Sequence, residues 1–429
     1  MKNTENLLKR RARLLGEKAP LFYKEPLHMV KGEGVWLYAA DGKRYLDVYN
    51  NVPSVGHCHP HVVAALSGQA QVLNIHTRYL DETILEYGER LTGMMDDSLS
   101  MLFLTCTGSE ANEVALRMAR QHTGQMGIIC TNATYHGNTT AVYELATMFE
   151  DEQSLSPNVR AVDFPCSYRP LNNLSGEALA DAYVDQVREA IVSLKAADAG
   201  FAGMLICPVF ANEGVPVVPA TYMEKVAQCV RDAGGVLIFD EVQSGFGRTG
   251  KMWGHENTTV VPDILTLGKP MGNGHPLAAA VCRPELANEF RDTSMYFNTF
   301  GGNPVSCAVG LAVLDVMEQE NLLENTRKVS AYMREQLLAL KNQYPLIGDV
   351  RNQGLFFGVE LVTDRISKEP ASTQARVIVN RMKDKGVLIS SIGPSDNILK
   401  MRPPLCFSID NADLLLSVLD DTFSELAKS

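Results

Sequence analysis

Three apolar segments each run directly into a residue able to do chemistry. DILTLG (263–268) ends at Lys269, GVLIFDE (235–241) carries Asp240 near its close, and MLFLT (101–105) leads into Cys106-Thr107-Gly108-Ser109. Most lysines are solvated surface residues. One presented by a buried strand end differs, because burial lowers the amine's pKa and frees the neutral form that attacks a carbonyl. Asp240 can be a capping or salt-bridged acid, but a carboxylate held there can also keep a ring nitrogen protonated through a charge-assisted hydrogen bond. Gln243, on the same turn, can reach a phenolic oxygen of that ring, with Val242 lying against the ring face. After MLFLT, Ala111, Val114, Ala115 and Met118 recur at helical spacing, so a helix opens at Ser109 with Gly108 just before it. Its free amides and positive dipole end, with the Ser109 hydroxyl, make a phosphate seat. The same stretch also spells an ordinary capping box, Thr107-x-x-Glu110.

Thr134-Tyr135-His136-Gly137 follows the apolar GIIC (127–130) and brings Tyr135 to the same rim, where it can stack opposite Val242. A phosphate seat, an acid for a pyridine nitrogen and an amine for an aldehyde together describe a site for pyridoxal 5'-phosphate. Two other motifs carry less. Gly245-x-Gly247-x-x-Gly250 matches a dinucleotide fingerprint only superficially, because the apolar strand does not run into its first glycine and no helical period follows. His57-Cys58-His59-Pro60-His61 is compact, but a structural metal needs a closed ligand set with outer support. No metal is expected there; loop histidines with local hydrogen bonds are the reading adopted.

The elements that must position these residues are short apolar runs between 101 and 282, spaced for crossover helices. They predict a mostly parallel sheet buried under helices, with one antiparallel strand at an edge. After Pro304 the pattern becomes two long helices, strand pieces near 347–351 and 355–361, a helix near 371–385 and a terminal helix. The expected organisation is a large α/β domain over 51–305 and a small α+β domain over 306–429. Residues 1–50, with a hairpin turning at Asp41-Gly42, pack with the small domain.

The chain has 429 residues, with 39 Lys+Arg against 50 Asp+Glu for a net charge of −11. That balance argues against a general nucleic-acid binder but not against a local cationic pocket. Nine scattered cysteines without a C-x-x-C pair fit reduced thiols better than a disulfide framework. The polar, basic start and the absence of a long apolar run predict no membrane span and a cytoplasmic location.

These segments resemble the class III, fold-type I aminotransferase family over nearly the whole chain. The carriers are T-G-S-E-A-N-E, Y-H-G, D-E-V-Q-x-G-F-G-R-T-G, G-K and T-x-G-G-N-P, in that order. The resemblance implies an α/β fold with a mostly parallel seven-stranded sheet and a smaller α+β domain built from both termini. It also implies that Gly108 and Ser109 hold the cofactor phosphate, that Tyr135 stacks, that Asp240 pairs with the pyridine nitrogen, and that Val242 and Gln243 line the ring. Lys269 would bond the cofactor covalently, and Thr299 would reach the phosphate of the partner subunit's cofactor in a homodimer.

Within the family, NNVPSVGHCHPHVV, NIHTRYLDETILEY, GKPMGNGHP and LKMRPPLCFS look most like the ethanolamine-phosphate phospho-lyases. Where typical aminotransferases read Glu-Pro-Ile-Gln, this chain reads Cys207-Pro208-Val209-Phe210. The glutamate there pairs with a carboxylate-binding arginine, and a cysteine cannot. Glu213, nearby, falls at a glycine position and is not credited with that role. That departure speaks against ordinary two-substrate transamination without being a lyase signature; it is the resemblance to the phospho-lyase branch that implies elimination of phosphate from a small phosphorylated amine such as O-phosphoethanolamine, giving aldehyde, ammonia and phosphate. The alternative is a class III aminotransferase moving nitrogen from an ω-amine or amino acid to a keto acid. Candidates for gripping a substrate phosphate are Arg78, in HTRYL, and Arg402, in KMRPPL; by resemblance Arg402 stands where aminotransferases bind an α-carboxylate.

Overall fold

The computed structural model describes residues 2–149 and 155–428. Its first strands, β1 (Met29–Glu33), β2 (Trp36–Ala39) and β3 (Arg44–Asp47), form an antiparallel meander. Asp41-Gly42 makes the second turn, where the Asp41 carboxylate accepts from the Lys43 N–H at 3.0 Å and Gly42 takes a φ of +86° that favours glycine.

The central sheet contains β4 (Met101–Thr105), β5 (Ile128–Thr131), β6 (Val159–Val162), β7 (Gly203–Ile206), β8 (Val236–Asp240), β9 (Ile264–Leu267) and β10 (Ala278–Cys282). Their order is β4-β10-β9-β8-β7-β5-β6, and β10 alone runs against the rest. The antiparallel strand was expected at an edge; it lies inside the sheet, between β4 and β9. The connector after β9 is too short for a crossover helix, so the chain must reverse beside it. Every residue of β10 is buried, and such an apolar strand makes a poor solvent-facing edge. Alternation divides the sheet's two faces between separate cores. Leu237 and Phe239 join the larger cluster, which includes residues of the helices Gly176–Ala196 and Tyr222–Asp232. Val236 and Ile238 join the other, under the helices Gly108–Thr123 and Pro284–Thr293.

The helix Pro304–Gln319 leads into Leu322–Gln343 and then a second antiparallel sheet. This sheet is built from β11 (Ile347–Gln353), β12 (Phe356–Asp364), the short β13 (Glu369–Pro370) beside β12, and two later strands. After the helix Ser372–Asp384, β14 (Val387–Leu388) pairs in parallel with β3, tying the N-terminal meander to this end of the chain. β15 (Ser390–Ile392) and β16 (Ile398–Met401) complete the second sheet in the order β11-β12-β16-β15, before the final helix Ile409–Ala427. Among the described residues no helix is long and apolar enough to cross a membrane.

Candidate active site

The parallel strands end on one side of the central sheet, where an open α/β fold leaves its crevice. A cavity of about 240 Å³ lies there, lined by Gly108, Ser109, Tyr135, Asp240, Val242 and Lys269, and by Gln243, Cys207 and Asn212. The distant strand ends singled out above thus converge.

Asp240 is buried at the end of β8. Its Oδ1 accepts from the Val242 N–H at 2.9 Å, while Oδ2 accepts from Asn112 Nδ2 at 3.0 Å and from His136 Nδ1 at 2.7 Å. Burial pushes the carboxyl up, but the hydrogen bond and charge of His136, the Val242 N–H and the charge of Lys269 outweigh it, so the group stays ionised below the usual carboxylate range. Asn112 is itself fixed, because its Oδ1 accepts from Thr266 Oγ1 at 2.6 Å.

Lys269 begins the turn after β9. Burial pulls its amine down to about 8, Asp240 works against that shift, and Arg402 adds to it. At the end of β4 the helix Gly108–Thr123 begins, with Thr107 as its N-cap. The capping box is complete: the Thr107 hydroxyl accepts from the Glu110 N–H, and the Glu110 carboxylate accepts from the N–H groups of Thr107 and Cys106. The helix therefore opens at Gly108 rather than Ser109, and the cap and the seat coexist. The Ser109 oxygen accepts from the Asn138 N–H at 3.1 Å, which leaves its own proton to donate into the cavity. A Cβ on Gly108 would stand 2.8 Å from a Val242 methyl, and one on Gly137 only 2.5 Å from Ser109 Oγ. Only glycines let these loops close around the space.

The residues present fit pyridoxal phosphate. Helix N–H groups and a hydroxyl face the end suited to its phosphate, a buried ionised carboxylate suits its ring nitrogen, and a partly deprotonated amine suits its aldehyde.

A second cavity of about 380 Å³ opens outside the first and shares Tyr135, Asn212, Gln243 and Lys269 with it. Arg402 lines it, donating from Nε to the Tyr49 carbonyl at 2.7 Å and from a terminal nitrogen to Gln243 Oε1. Arg78 and Thr299 are not brought here within one chain. Both are exposed, and the Arg78 guanidinium lies 3.7 Å from the Phe297 ring centroid in a separate cavity. The three histidines of the compact cluster diverge: His57 meets Asp47, His59 meets Glu320 and His61 meets Asp315. Glu213 is buried and accepts from Thr131 Oγ1 at 2.7 Å and from the Asn212 N–H, with burial raising its pKa.

Four site residues escaped sequence reasoning: Asn112, His136, Asn212 and Lys400. His136 adjoins Tyr135, so its place in Y-H-G was the available signal. Asn212 joins the wall by donating to the Tyr135 carbonyl and accepting from Gln243 Nε2, each at 3.0 Å. Asn112 stands in T-G-S-E-A-N-E and Lys400 in LKMRPPLCFS, but no local period or spacing marks either as a site residue.

Sheet topology and site define a fold-type I pyridoxal-phosphate enzyme. Residues 22–423 match the class-III aminotransferase family, and the chain belongs to it; the cofactor is pyridoxal 5'-phosphate. It is 40% identical to the alanine–glyoxylate aminotransferase 2-like protein of Drosophila melanogaster, over 95% of this chain and 85% of that one. Identity with the ethanolamine-phosphate phospho-lyase homolog 1 of Caenorhabditis elegans is 35%, over 99% and 94%. The fold superposes with a TM-score of 0.94 on a phospholyase from Arthrobacter in complex with phosphoethanolamine, at 46% identity over 97% of this chain and 99% of that one.

Proposed function

We propose that this enzyme eliminates phosphate from a small phosphorylated amine, with O-phosphoethanolamine as the first substrate to try. The observation that carries the reading is the charge of the outer cavity: Lys269, Lys400 and Arg402 line it, and among the described residues no carboxylate does. Cys207 stands where an aminotransferase would place a glutamate against the arginine; among the described residues Arg402 forms no ion pair, and it is suited to an anion of charge about −1.5 to −2 at neutral pH. The likeness to the Arthrobacter phospholyase supports the same substrate class.

Bound pyridoxal phosphate supplies an electron sink conjugated to the carbon that carries the substrate's nitrogen. Asp240 would hold the ring nitrogen protonated. Lys269, with an amine that burial leaves partly neutral, would take the proton from that carbon. Arg402 holds the phosphate as the neighbouring carbon–oxygen bond breaks and its electron pair leaves with the phosphate oxygen. The enamine left behind adds water, giving acetaldehyde and ammonia.

A homodimer belongs to this reading. Leu80, Met295 and Phe300 are 99%, 85% and 70% exposed, beside the Arg78 and Thr299 that the site of one chain lacks. A second copy covering these apolar side chains would receive both residues at its own cavity.

The test is release of phosphate and ammonia from O-phosphoethanolamine with pyridoxal phosphate present and every keto acid absent. Equal amounts of phosphate, ammonia and acetaldehyde over many turnovers are expected, since transamination stalls without an acceptor. The Drosophila relative's name favours a second reading, aminotransfer to a keto acid. No phosphate release together with amino transfer to pyruvate or glyoxylate would establish that reading and end the first.

A further inference from the structure

Lys400 is a buried amine with almost nothing to bind. It is 2% exposed, in the middle of the second sheet, where β16 lies between β12 and β15. It forms no ion pair among the described residues, and its one hydrogen bond, to Asn212 Oδ1, is stretched to 3.5 Å. The Phe356 ring centroid lies 5.2 Å away. Glu213, whose charge acts on Lys400, gives its oxygens to Thr131 and the Asn212 N–H instead. An ammonium has three donors, and a charge taken out of water is costly unless it is paired. Burial, with Arg402 and Lys269 adding to it, drives the amine well below its ordinary range.

The second observation is position. Lys400 and Arg402 are two residues apart as the chain leaves β16. Residues at that spacing share a face of a strand, with Cα atoms about 6.5 Å apart. Both line the outer cavity, together with Ser390 and Ser391 from the neighbouring β15. Two basic side chains in one lining, with two serines and no acid among its described residues, form a recess for a doubly charged group rather than for a carboxylate.

We propose that Lys400 is the second cation of the substrate-phosphate subsite and grips the phosphoryl oxygens jointly with Arg402. This rests on the phosphorylated-amine reading above. A dianion arriving between the two would supply the partner that the amine lacks and favour its protonated, cationic form.

The test uses holoenzyme and three ligands. O-Phosphoethanolamine reports turnover, ethanolamine reports amine binding alone, and 2-aminoethylphosphonate carries a dianion on carbon with no ester oxygen to expel. Binding of the latter two is read from the cofactor absorbance. Lys400→Met should raise KM for O-phosphoethanolamine and Kd for 2-aminoethylphosphonate by about 10- to 100-fold, the worth of a charge-assisted hydrogen bond. Ethanolamine binding should move less than about twofold, and Lys400→Arg should recover part of the loss, as a second guanidinium still pairs with phosphate. If Lys400→Met is poorly folded, Lys400→Gln takes its place. An unchanged Kd for the phosphonate, or an equal loss for ethanolamine, would overturn the assignment. Wild-type enzyme that binds the phosphonate through Lys400 but releases no phosphate would uphold the subsite and sink only the lyase reading.

Discussion

His136 Nδ1 lies 2.7 Å from Asp240 Oδ2, and both side chains are buried. The carboxylate has no proton of its own to give, so the imidazole donates, and its other nitrogen meets Thr134 Oγ1 at 3.1 Å. His136 is thus a positioning residue that holds the Asp240 carboxylate ionised and fixed at the cavity wall.

Replacing it should expose that role. His136→Phe keeps the ring volume and removes the bond, and burial then pushes the Asp240 carboxyl upward unopposed by its main partner. Turnover should fall about 10- to 100-fold and cofactor affinity should weaken, as expected for a lost hydrogen bond to a charged group. Steady-state kinetics and a cofactor titration would check this; an unaltered cofactor affinity would show that Asp240 holds its charge without help.

Lys269 carries a pH prediction. Its amine, lowered to about 8 in the apoenzyme, is protonated below that value and free above it. Covalent capture of pyridoxal phosphate should slow about tenfold for each pH unit below 8 and level off above it. The rate of the absorbance change on reconstitution reads this directly; a break near the ordinary lysine value would mean the amine is not desolvated. Lys269→Ala should abolish turnover while leaving a folded protein that still binds the cofactor noncovalently.

The start of the helix Gly108–Thr123 allows cap and seat to be separated. Thr107→Ala removes the capping hydroxyl and should cost about 1 kcal/mol of stability, seen as a lower melting temperature. Ser109→Ala should barely move the melting temperature of the apoenzyme but raise the cofactor Kd about tenfold, through one lost hydrogen bond to a charged phosphate. Equal effects of the two on cofactor binding would assign the whole end to capping.

Arg78 and Thr299 predict complementation between subunits. Arg78→Ala should weaken a phosphorylated substrate far more than its unphosphorylated amine. When unfolded together and refolded with Lys269→Ala chains, it should form mixed dimers in which one site is intact. Activity at low substrate should recover to roughly a quarter of the wild-type level for random pairing of a two-fold dimer. No recovery over the separate variants would place Arg78 outside the partner's site.

The groups legible from sequence sit where a local pattern breaks. Asp240, Lys269 and the Gly108-Ser109 pair each end an apolar strand, and the strand-end rule for open α/β sheets turns that position into a site. The second helix-rich region, the hairpin at Asp41-Gly42 and the run of central strands were legible for a related reason: turn chemistry and hydrophobic period act over a few residues. The cofactor chemistry was legible in the sequence too, because an amine, an acid and a helix start each stand at an apolar strand end.

Tertiary structure decided the rest. β10 looks the same in sequence at an edge or in the interior, since its apolar residues specify burial but not which strand provides it. Lys400 reads as one more polar position in ILKM, and only the pairing of β16 between β12 and β15 buries it beside Arg402. Asn112 reaches Asp240 across 128 positions of chain. Such contacts depend on which surfaces the whole chain brings together, and that choice is made by packing both faces of the sheets at once rather than by any segment's own pattern.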